Sequence, residues 1–144
     1  MKINLVLIFI TALSFFFCKQ AYRTEPESKN KKLILELFNH FNAHEWKALS
    51  ELYIDSAFFL DPSFGKREVL QSHDQTKSKY SEMQKMFPDI KDDVRHIYVL
   101  GETVVVEFVS SGTNATGVKF SFPIVTIFTL RDEKIVRDAT YYDQ

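Results

Sequence analysis

The chain is poor in the residues that build several common kinds of functional site. Its single cysteine, Cys18, excludes an internal disulfide and any cysteine-based metal site. Basic residues are not in excess, since 18 lysines and arginines are interleaved with 19 aspartates and glutamates, so no nucleic-acid-binding surface is indicated. The chain also lacks a glycine-rich phosphate loop and histidines at metal-ligand spacing. We therefore expect no nucleic-acid partner, no metal and no cofactor.

Aromatic residues, by contrast, are abundant. They make up 15% of the chain, and fourteen of them are phenylalanines. A length of 144 residues is enough for one domain with one core. Because no internal repeat or low-complexity block interrupts the sequence, we expect a single folded domain whose core is rich in large side chains.

Residues 1–18 are typical of an export signal rather than of the folded domain. Lys2 precedes the apolar run 3–17, which has the length of a secretory signal and is short for a membrane span. Cys18 follows at once, as in bacterial lipoprotein signals, where that cysteine is lipidated and becomes the first residue. We expect an exported protein anchored to the membrane through Cys18. An uncleaved anchor and conventional export to the periplasm or the outside are the alternatives.

A polar tether at 19–29 precedes the folded domain, which is expected over residues 30–144. Apolar residues at helical spacing predict three helices, at 30–43, 45–53 and 66–87. Asn30 is placed to cap the first helix, and Pro88 ends the third.

Strands account for the rest of the domain. A short strand at 57–60 runs into the Asp61-Pro62 step, and alternating patterns predict four more strands, at 92–100, 103–113, 118–130 and 135–143. Pro123 requires an edge or a bulge in its strand, because proline has no N–H to donate. Helices followed by strands are typical of an α+β fold, and a bent sheet wrapped on one side by helices leaves a conical cavity.

Several segments resemble the SnoaL-like polyketide cyclase family of the nuclear-transport-factor-2-like (NTF2-like) superfamily. They are FNAHEWKALSELYIDSAFFLDP, FPDI, GETVVVEFVSSGT and FPIVTIFTLRDEKIVRDATYYD. The resemblance covers about residues 31–144. It implies a cone-shaped fold in which three N-terminal helices pack on a strongly curved, mainly antiparallel sheet. It implies little about activity, because the superfamily hosts isomerases, cyclases, hydrolases and binding modules.

Asp61 is the first candidate for chemistry. Ketosteroid isomerases share this fold and place their base at the aspartate of a matching Asp-Pro step, so the resemblance implies a base at Asp61. Apolar neighbours would raise the pKa of this carboxyl, whereas the alternative role is a turn residue. The oxyanion donors of those enzymes do not carry over, since Leu37 and Phe38 stand at the tyrosine's place and strand 118–130 has no carboxylate. Such donors contribute about 3–4 kcal/mol each, so steroid-type isomerisation is disfavoured.

Three further residues are candidates for an acid–base partner of Asp61. His73 lies on the apolar face of the predicted third helix, where it either faces Asp61 or is a core or rim residue. Glu107 points either into the cavity or to the outer face, because both faces of its strand are apolar. Asp138 is in phase with Thr140 on the last strand, where family members often carry polar cavity residues.

The cavity wall is expected to contain large aromatic side chains that would contact a ligand. These are Tyr53, Phe59, Tyr80, Phe108 and Tyr142. Three functions remain open: a module that binds a small organic molecule, an acid–base enzyme (isomerase, cyclase or hydrolase-like) that uses Asp61, and a structural homodimerisation module. An open cavity with two titratable groups favours the enzyme, and one with at most one such group favours the binder. A cone filled by aromatic side chains favours dimerisation alone.

Overall fold

The computed structural model describes residues 24–143, so the predicted signal at 1–18, including Cys18, lies outside the described residues. Three helices precede most of the sheet: α1 (Thr24–Asn42), α2 (Trp46–Glu51) and α3 (His73–Met86). The six strands are β1 (Tyr53–Leu60), β2 (Val69–Ser72), β3 (Lys91–Leu100), β4 (Thr103–Thr113), β5 (Lys119–Arg131) and β6 (Lys134–Tyr141). None of the described helices is long and apolar enough to span a membrane.

The strands form one curved, mainly antiparallel sheet in the order β2-β1-β6-β5-β4-β3, with the helices packed against it. Only β1 and β6 run parallel. The α+β fold class and the cone-shaped architecture predicted from the sequence are therefore confirmed.

The starts of two helices and one cap were predicted wrongly. Residues 69–72 form the edge strand β2, so the third helix begins at His73 and not at 66. Ser72 caps this helix and forms a capping box with Gln75, a Ser-x-x-Gln signal that marks the true start. The first helix begins at Thr24, and Asn30 lies inside it, where its side chain donates to the Gly101 carbonyl over 2.8 Å.

Pro123 illustrates how the sheet tolerates a proline. It pairs with Val109 of β4, while the pairing of β5 with β6 begins only at Val125. Because Pro123 does not pair with β6, its missing N–H costs no hydrogen bond between β5 and β6. This agrees with the confinement of prolines to strand edges that lack a partner. Beyond this point, β5 runs on beside β6 to a tight hairpin in which Asp132 and Glu133 have positive φ angles of 50° and 58°.

The core lies between the helices and the inner face of the sheet. Strand β4 alternates regularly, with Val104, Val106 and Phe108 buried and the residues between them half-exposed. Phe38 of α1 packs edge-on against Phe108 and Phe128, with ring centroids 4.9 and 6.4 Å away. These contacts hold α1 across the middle of the sheet. A space remains between the helices and the inner face of the sheet.

Candidate functional site

A cavity of about 90 Å³ lies between the three helices and the inner face of the sheet. Most of its wall is apolar, formed by Leu37, Phe38, Phe41, Leu49, Met83, Phe108, Ile124 and Phe128. The polar groups on the wall are Tyr53, Tyr80, Asp92, Ser110, Thr126, Asp138 and Thr140. The predicted cone therefore contains a small cavity that two carboxyl groups line together.

Asp138 reaches the cavity from β6 and is 5% exposed. Its Oδ2 accepts a hydrogen bond of 2.8 Å from the Tyr53 hydroxyl, and its Oδ1 accepts one of 3.0 Å from the Thr140 hydroxyl. The Thr140 hydroxyl also lies 2.8 Å from that of Thr126. Burial raises the pKa of Asp138, although the Tyr53 hydrogen bond and the positive charge of Lys79 oppose the shift.

Tyr53 and Tyr80 extend this network toward α3. The two phenols lie close enough to influence each other's ionisation, and Tyr53 donates its hydroxyl proton to Asp138. Burial, reinforced by the nearby Asp138 carboxylate, raises the pKa of both phenols well above the ordinary tyrosine value. Both tyrosines are therefore neutral hydrogen-bond donors at physiological pH.

Asp92, at the start of β3, is the second carboxyl of the cavity and is 7% exposed. Its backbone is held by Asn42 at the end of α1, whose amide donates to the Asp92 carbonyl and accepts from its N–H, both over 2.8 Å. Within residues 24–143, its Oδ1 is a buried side-chain oxygen that accepts no hydrogen bond. Burial raises its pKa to about 7, against a smaller opposing effect of the Ser110 hydroxyl.

A second network of hydrogen bonds holds the segment that precedes Asp92 in place. The Trp46 indole donates to Gln84 over 2.7 Å, the Gln84 amide lies 2.8 Å from Nδ1 of His44, and Nε2 of His44 lies 3.0 Å from the Ile90 carbonyl. These bonds are mutually consistent when His44 is neutral with its proton on Nε2. They join α2 and α3 to the segment that leads into Asp92.

Asp61 has a different environment from the one predicted. It is not among the residues that line the cavity, and its Oδ2 forms an ion pair of 2.6 Å with Lys79 of α3. Its Oδ1 accepts from the Ser63 N–H over 2.8 Å and from the Tyr142 hydroxyl over 3.2 Å. Burial alone would raise the pKa of Asp61, but Lys79 and Ser63 lower it below its ordinary value, so the predicted upward shift is wrong.

His73 and Glu107 also lie away from the cavity lining. His73 is the first residue of α3 rather than an inward residue in its middle, and its Nε2 lies 3.0 Å from the Tyr53 carbonyl. Glu107 alternates with the inward residues Val106 and Phe108 and therefore lies on the outer face of β4. The structure thus brings Asp138 alone, of the four predicted acid–base residues, to the cavity.

Some of the aromatic residues that were predicted to line the cavity do so, and others do not. Tyr53, Tyr80 and Phe108 line the cavity. Phe59 is buried behind Tyr53, with ring centroids 5.0 Å apart, and Tyr142 contacts Asp61 instead. Phe59 therefore supports the wall from behind, and Tyr142 is not part of it.

Asp92 is the residue that the sequence reasoning missed. A signal was available, because Asp92 stands in phase between the apolar residues Ile90 and Val94, and an acid on the apolar face of a strand indicates a buried carboxyl. Thr126 and Thr140 carried no comparable signal, since threonine is common in strands on either face. Within residues 24–143, no three histidine, aspartate or glutamate side chains gather where they could hold a metal ion.

The comparisons with known proteins agree with this architecture. Residues 34–138 match the SnoaL-like domain family. The chain belongs to the SnoaL-like domain family. No curated protein is significantly similar to it in sequence.

Solved structures of the same fold include proteins with different descriptions. A protein from Jannaschia sp. CCS1, described as a SnoaL-like polyketide cyclase, is 22% identical over 84% of this chain and 90% of its own, with a TM-score of 0.70. A protein with a ketosteroid isomerase-like fold from Catenulispora acidiphila, in complex with trimethylamine, is 18% identical over 78% of this chain and 85% of its own, with a TM-score of 0.70. An LEH-like epoxide hydrolase from M. tuberculosis is 14% identical over 81% of this chain and 84% of its own, with a TM-score of 0.69. At these identities the likeness establishes the fold of this SnoaL-like domain and not its activity.

Proposed function

We propose that this SnoaL-like domain binds a small organic molecule in the cavity beneath its helices. The observation that carries the proposal is the combination of an apolar, aromatic wall with a few convergent polar groups, which is typical of ligand sites. The volume of about 90 Å³ is smaller than that of an engineered cavity of about 150 Å³ that holds benzene, so the ligand has only a few heavy atoms. A trimethylamine complex of a neighbour with the same fold supports this size class.

The test is a binding screen on the full-length protein. Small organic molecules of a few heavy atoms are screened by ligand-observed NMR against the wild type and against Ile124→Phe, which fills part of the cavity. Ile127→Phe is the matched control, because Ile127 lies on the outer face of the same strand. Binding that Ile124→Phe weakens and Ile127→Phe leaves intact is expected. Binding that survives Ile124→Phe would contradict the cavity as the site.

Acid–base catalysis is the second candidate, and the two carboxyls of the cavity favour it. A general acid or base works best when its pKa lies near the operating pH, and the pKa of Asp92 is raised to about 7. The enzyme would move a proton between Asp92 or Asp138 and the bound molecule. Exchange of ligand C–H protons in D₂O, followed by NMR, is expected to slow in Asp92→Asn and Asp138→Asn. Asp61→Asn is measured beside them, because the resemblance proposed Asp61 as the base.

Homodimerisation through the outer face of the sheet is a third candidate, supported by exposed apolar side chains on that face. Phe58, Tyr98 and Tyr141 lie there with 47, 53 and 49% exposure, and Leu70 beside Phe58 is 54% exposed. Light scattering after size-exclusion chromatography is expected to give the mass of a dimer for the wild type and of a monomer for Tyr98→Glu. A monomeric wild type at high protein concentration would contradict this candidate.

The proposal for the N-terminus is export and lipid anchoring at Cys18. It is supported by the apolar run at 3–17 directly before the cysteine. Mass spectrometry of the protein purified from membranes is expected to find a lipidated N-terminal Cys18, and Cys18→Ser is expected to abolish that modification. An intact Met1 would indicate an uncleaved anchor instead, and an unlipidated N-terminus at another residue would indicate conventional export.

A further inference from the structure

The cavity has two carboxyl groups and, among its lining residues, no lysine, arginine or histidine. Its titratable groups are Asp92, Asp138, Tyr53 and Tyr80, and the two phenols are neutral. An anionic ligand would therefore meet like charges without a cation in the wall, because Lys79, whose charge acts on Asp138, lies outside the lining and is paired with Asp61. A ligand that is neutral or positively charged fits the electrostatics of the wall.

The two carboxyls differ in whether both of their oxygens already accept hydrogen bonds. Each oxygen of Asp138 already accepts a hydrogen bond, from Tyr53 and from Thr140. Oδ1 of Asp92 is buried and accepts none within the part of the chain that the structure describes. A buried acceptor without a donor is costly, so this oxygen indicates that the ligand supplies a donor.

The rest of the wall restricts the other end of the ligand. Phe38, Phe41 and Phe108 present aromatic rings, and Met83 presents a polarisable thioether. Aromatic rings attract cations, and aromatic cages together with a carboxylate are a common way to bind alkylated ammonium groups. Short alkyl groups on nitrogen would occupy the apolar wall while an N–H⁺ group reaches Asp92.

Resting on the proposed ligand-binding function, we infer that the ligand is a small alkylammonium cation whose N–H⁺ donates to Oδ1 of Asp92 and whose alkyl groups contact the aromatic wall. The size agrees, because about 90 Å³ admits an amine with only a few short alkyl groups. A charge-assisted hydrogen bond in a buried site gives both orientation and affinity.

The experiment uses three probes of similar size and different charge, titrated into the purified full-length protein and followed by calorimetry or ligand-observed NMR. The probes are trimethylammonium, neutral tert-butanol and anionic pivalate. At about pH 8, where Asp92 is mostly ionised, trimethylammonium is expected to bind at least about tenfold more tightly than tert-butanol, and pivalate is expected not to bind.

Two further readouts identify the partner of the cation. Asp92→Asn is expected to weaken trimethylammonium binding at least about thirtyfold, whereas Asp93→Asn is expected to change it little. Asp93 is the matched control, because it is the next residue of β3 and forms an exposed ion pair of 2.9 Å with Arg95. In the wild type, the affinity is expected to rise about tenfold between about pH 6 and about pH 8 as Asp92 ionises, while an alkylammonium, like lysine, stays protonated.

The outcomes separate this inference from the function on which it rests. If tert-butanol binds as tightly as trimethylammonium, or if the affinity for trimethylammonium falls as the pH rises, the cation inference is wrong while ligand binding in the cavity stands. If none of the three probes binds at millimolar concentration, both are contradicted for ligands of this size. If Asp92→Asn does not fold, the pH dependence of the wild type still tests whether the ligand binds as a cation, although Asp138, whose pKa is also raised, lines the same cavity.

Discussion

Asp61 and Asp92 are both poorly exposed carboxyls, yet their surroundings have opposite effects on their charge. Asp61 is paired with Lys79 over 2.6 Å and also accepts hydrogen bonds from Ser63 and Tyr142. Asp92 has no cationic partner among the described residues, and one of its oxygens accepts no hydrogen bond there. Burial raises the pKa of both carboxyls, but only at Asp61 do the ion pair with Lys79 and the Ser63 hydrogen bond outweigh that effect.

The partners of a carboxylate therefore say more about its chemistry than does its position in an Asp-Pro step that resembles the family's. Asp61 is satisfied by the protein itself, so its charge stabilises the turn at Pro62–Phe64 and its attachment to α3. Oδ1 of Asp92 has no such partner among the described residues. Under the proposed function a ligand in the cavity supplies one, whereas the region around Asp61 serves the fold.

Lys79→Met is expected to have the largest effect on the difference between the two carboxyls. It leaves the Asp61 carboxylate, whose side chain is 14% exposed, without its cation, which is expected to cost about 3–5 kcal/mol of unfolding free energy at neutral pH. The pKa of Asp61 would then rise, as that of Asp92 does, because burial would no longer be opposed. Denaturant unfolding of the variant measures the loss. The control is Lys77→Met, which removes an exposed ion pair with Asp74 on the same helix and is expected to cost less than about 0.5 kcal/mol. Equal costs for the two variants would refute the structural role of the Asp61–Lys79 pair.

Asp92→Asn would test the other side of the comparison. The folded-state pKa of Asp92 is raised from 3.8 to about 7, so between these values the folded protein binds more protons than the unfolded chain. Wild-type stability is therefore lost as the pH rises from about 4 to about 7, and the amide variant does not share this loss. The variant is expected to be more stable than the wild type by about 2–4 kcal/mol at about pH 8 and about equally stable near pH 4. Unfolding free energies at several pH values measure this, with Asp93→Asn as control. An unchanged or lower stability of Asp92→Asn at pH 8 would mean that Asp92 is better satisfied than its burial indicates.

Tyr53→Phe sharpens the distinction between the two carboxyls of the cavity. It removes the 2.8 Å hydrogen bond to Oδ2 of Asp138, and an unsatisfied buried acceptor is expected to cost about 1–3 kcal/mol. It would also raise the pKa of Asp138 further and make it resemble Asp92 more closely. Tyr98→Phe is the matched control, because Tyr98 is 53% exposed on the outer face. Removal of its hydroxyl is expected to change the unfolding free energy by less than about 0.5 kcal/mol. If the two variants unfold at the same denaturant concentration, the Tyr53–Asp138 bond contributes nothing measurable.

Most of the fold could be predicted from the sequence because periodicity reports local geometry. The helical spacing in α1 identifies its buried face without knowledge of the rest of the chain. Strand β4 was predicted as a strand, but its buried face could not be chosen from the sequence because both of its faces are apolar. The parallel pairing of β1 with β6 could not be predicted in the same way, since it joins segments separated by most of the domain. Strand β2 was missed because its four residues are too few to set a period against the helix that follows.

The site was harder to predict because ionisation depends on partners that lie far apart in sequence. Nothing around Asp61 in the sequence indicates Lys79, which approaches it only when α3 packs beside the turn. Asp138 could be found because its phase on β6 matches that of Thr140, and both face inward. For Asp92, the apolar phase of β3 indicated burial, but the absence of a partner is visible only in the folded protein.

The most direct test of the central claim is the titration of the Asp92 side-chain carboxyl, followed by ¹³C NMR in the full-length protein without added ligand. A midpoint near pH 7 is expected for Asp92, with Asp61 titrating below the ordinary aspartate value in the same spectra. A midpoint near 3.8 for Asp92 would contradict the central claim, because the carboxylate would then be as well satisfied as that of Asp61 and would need nothing from a ligand.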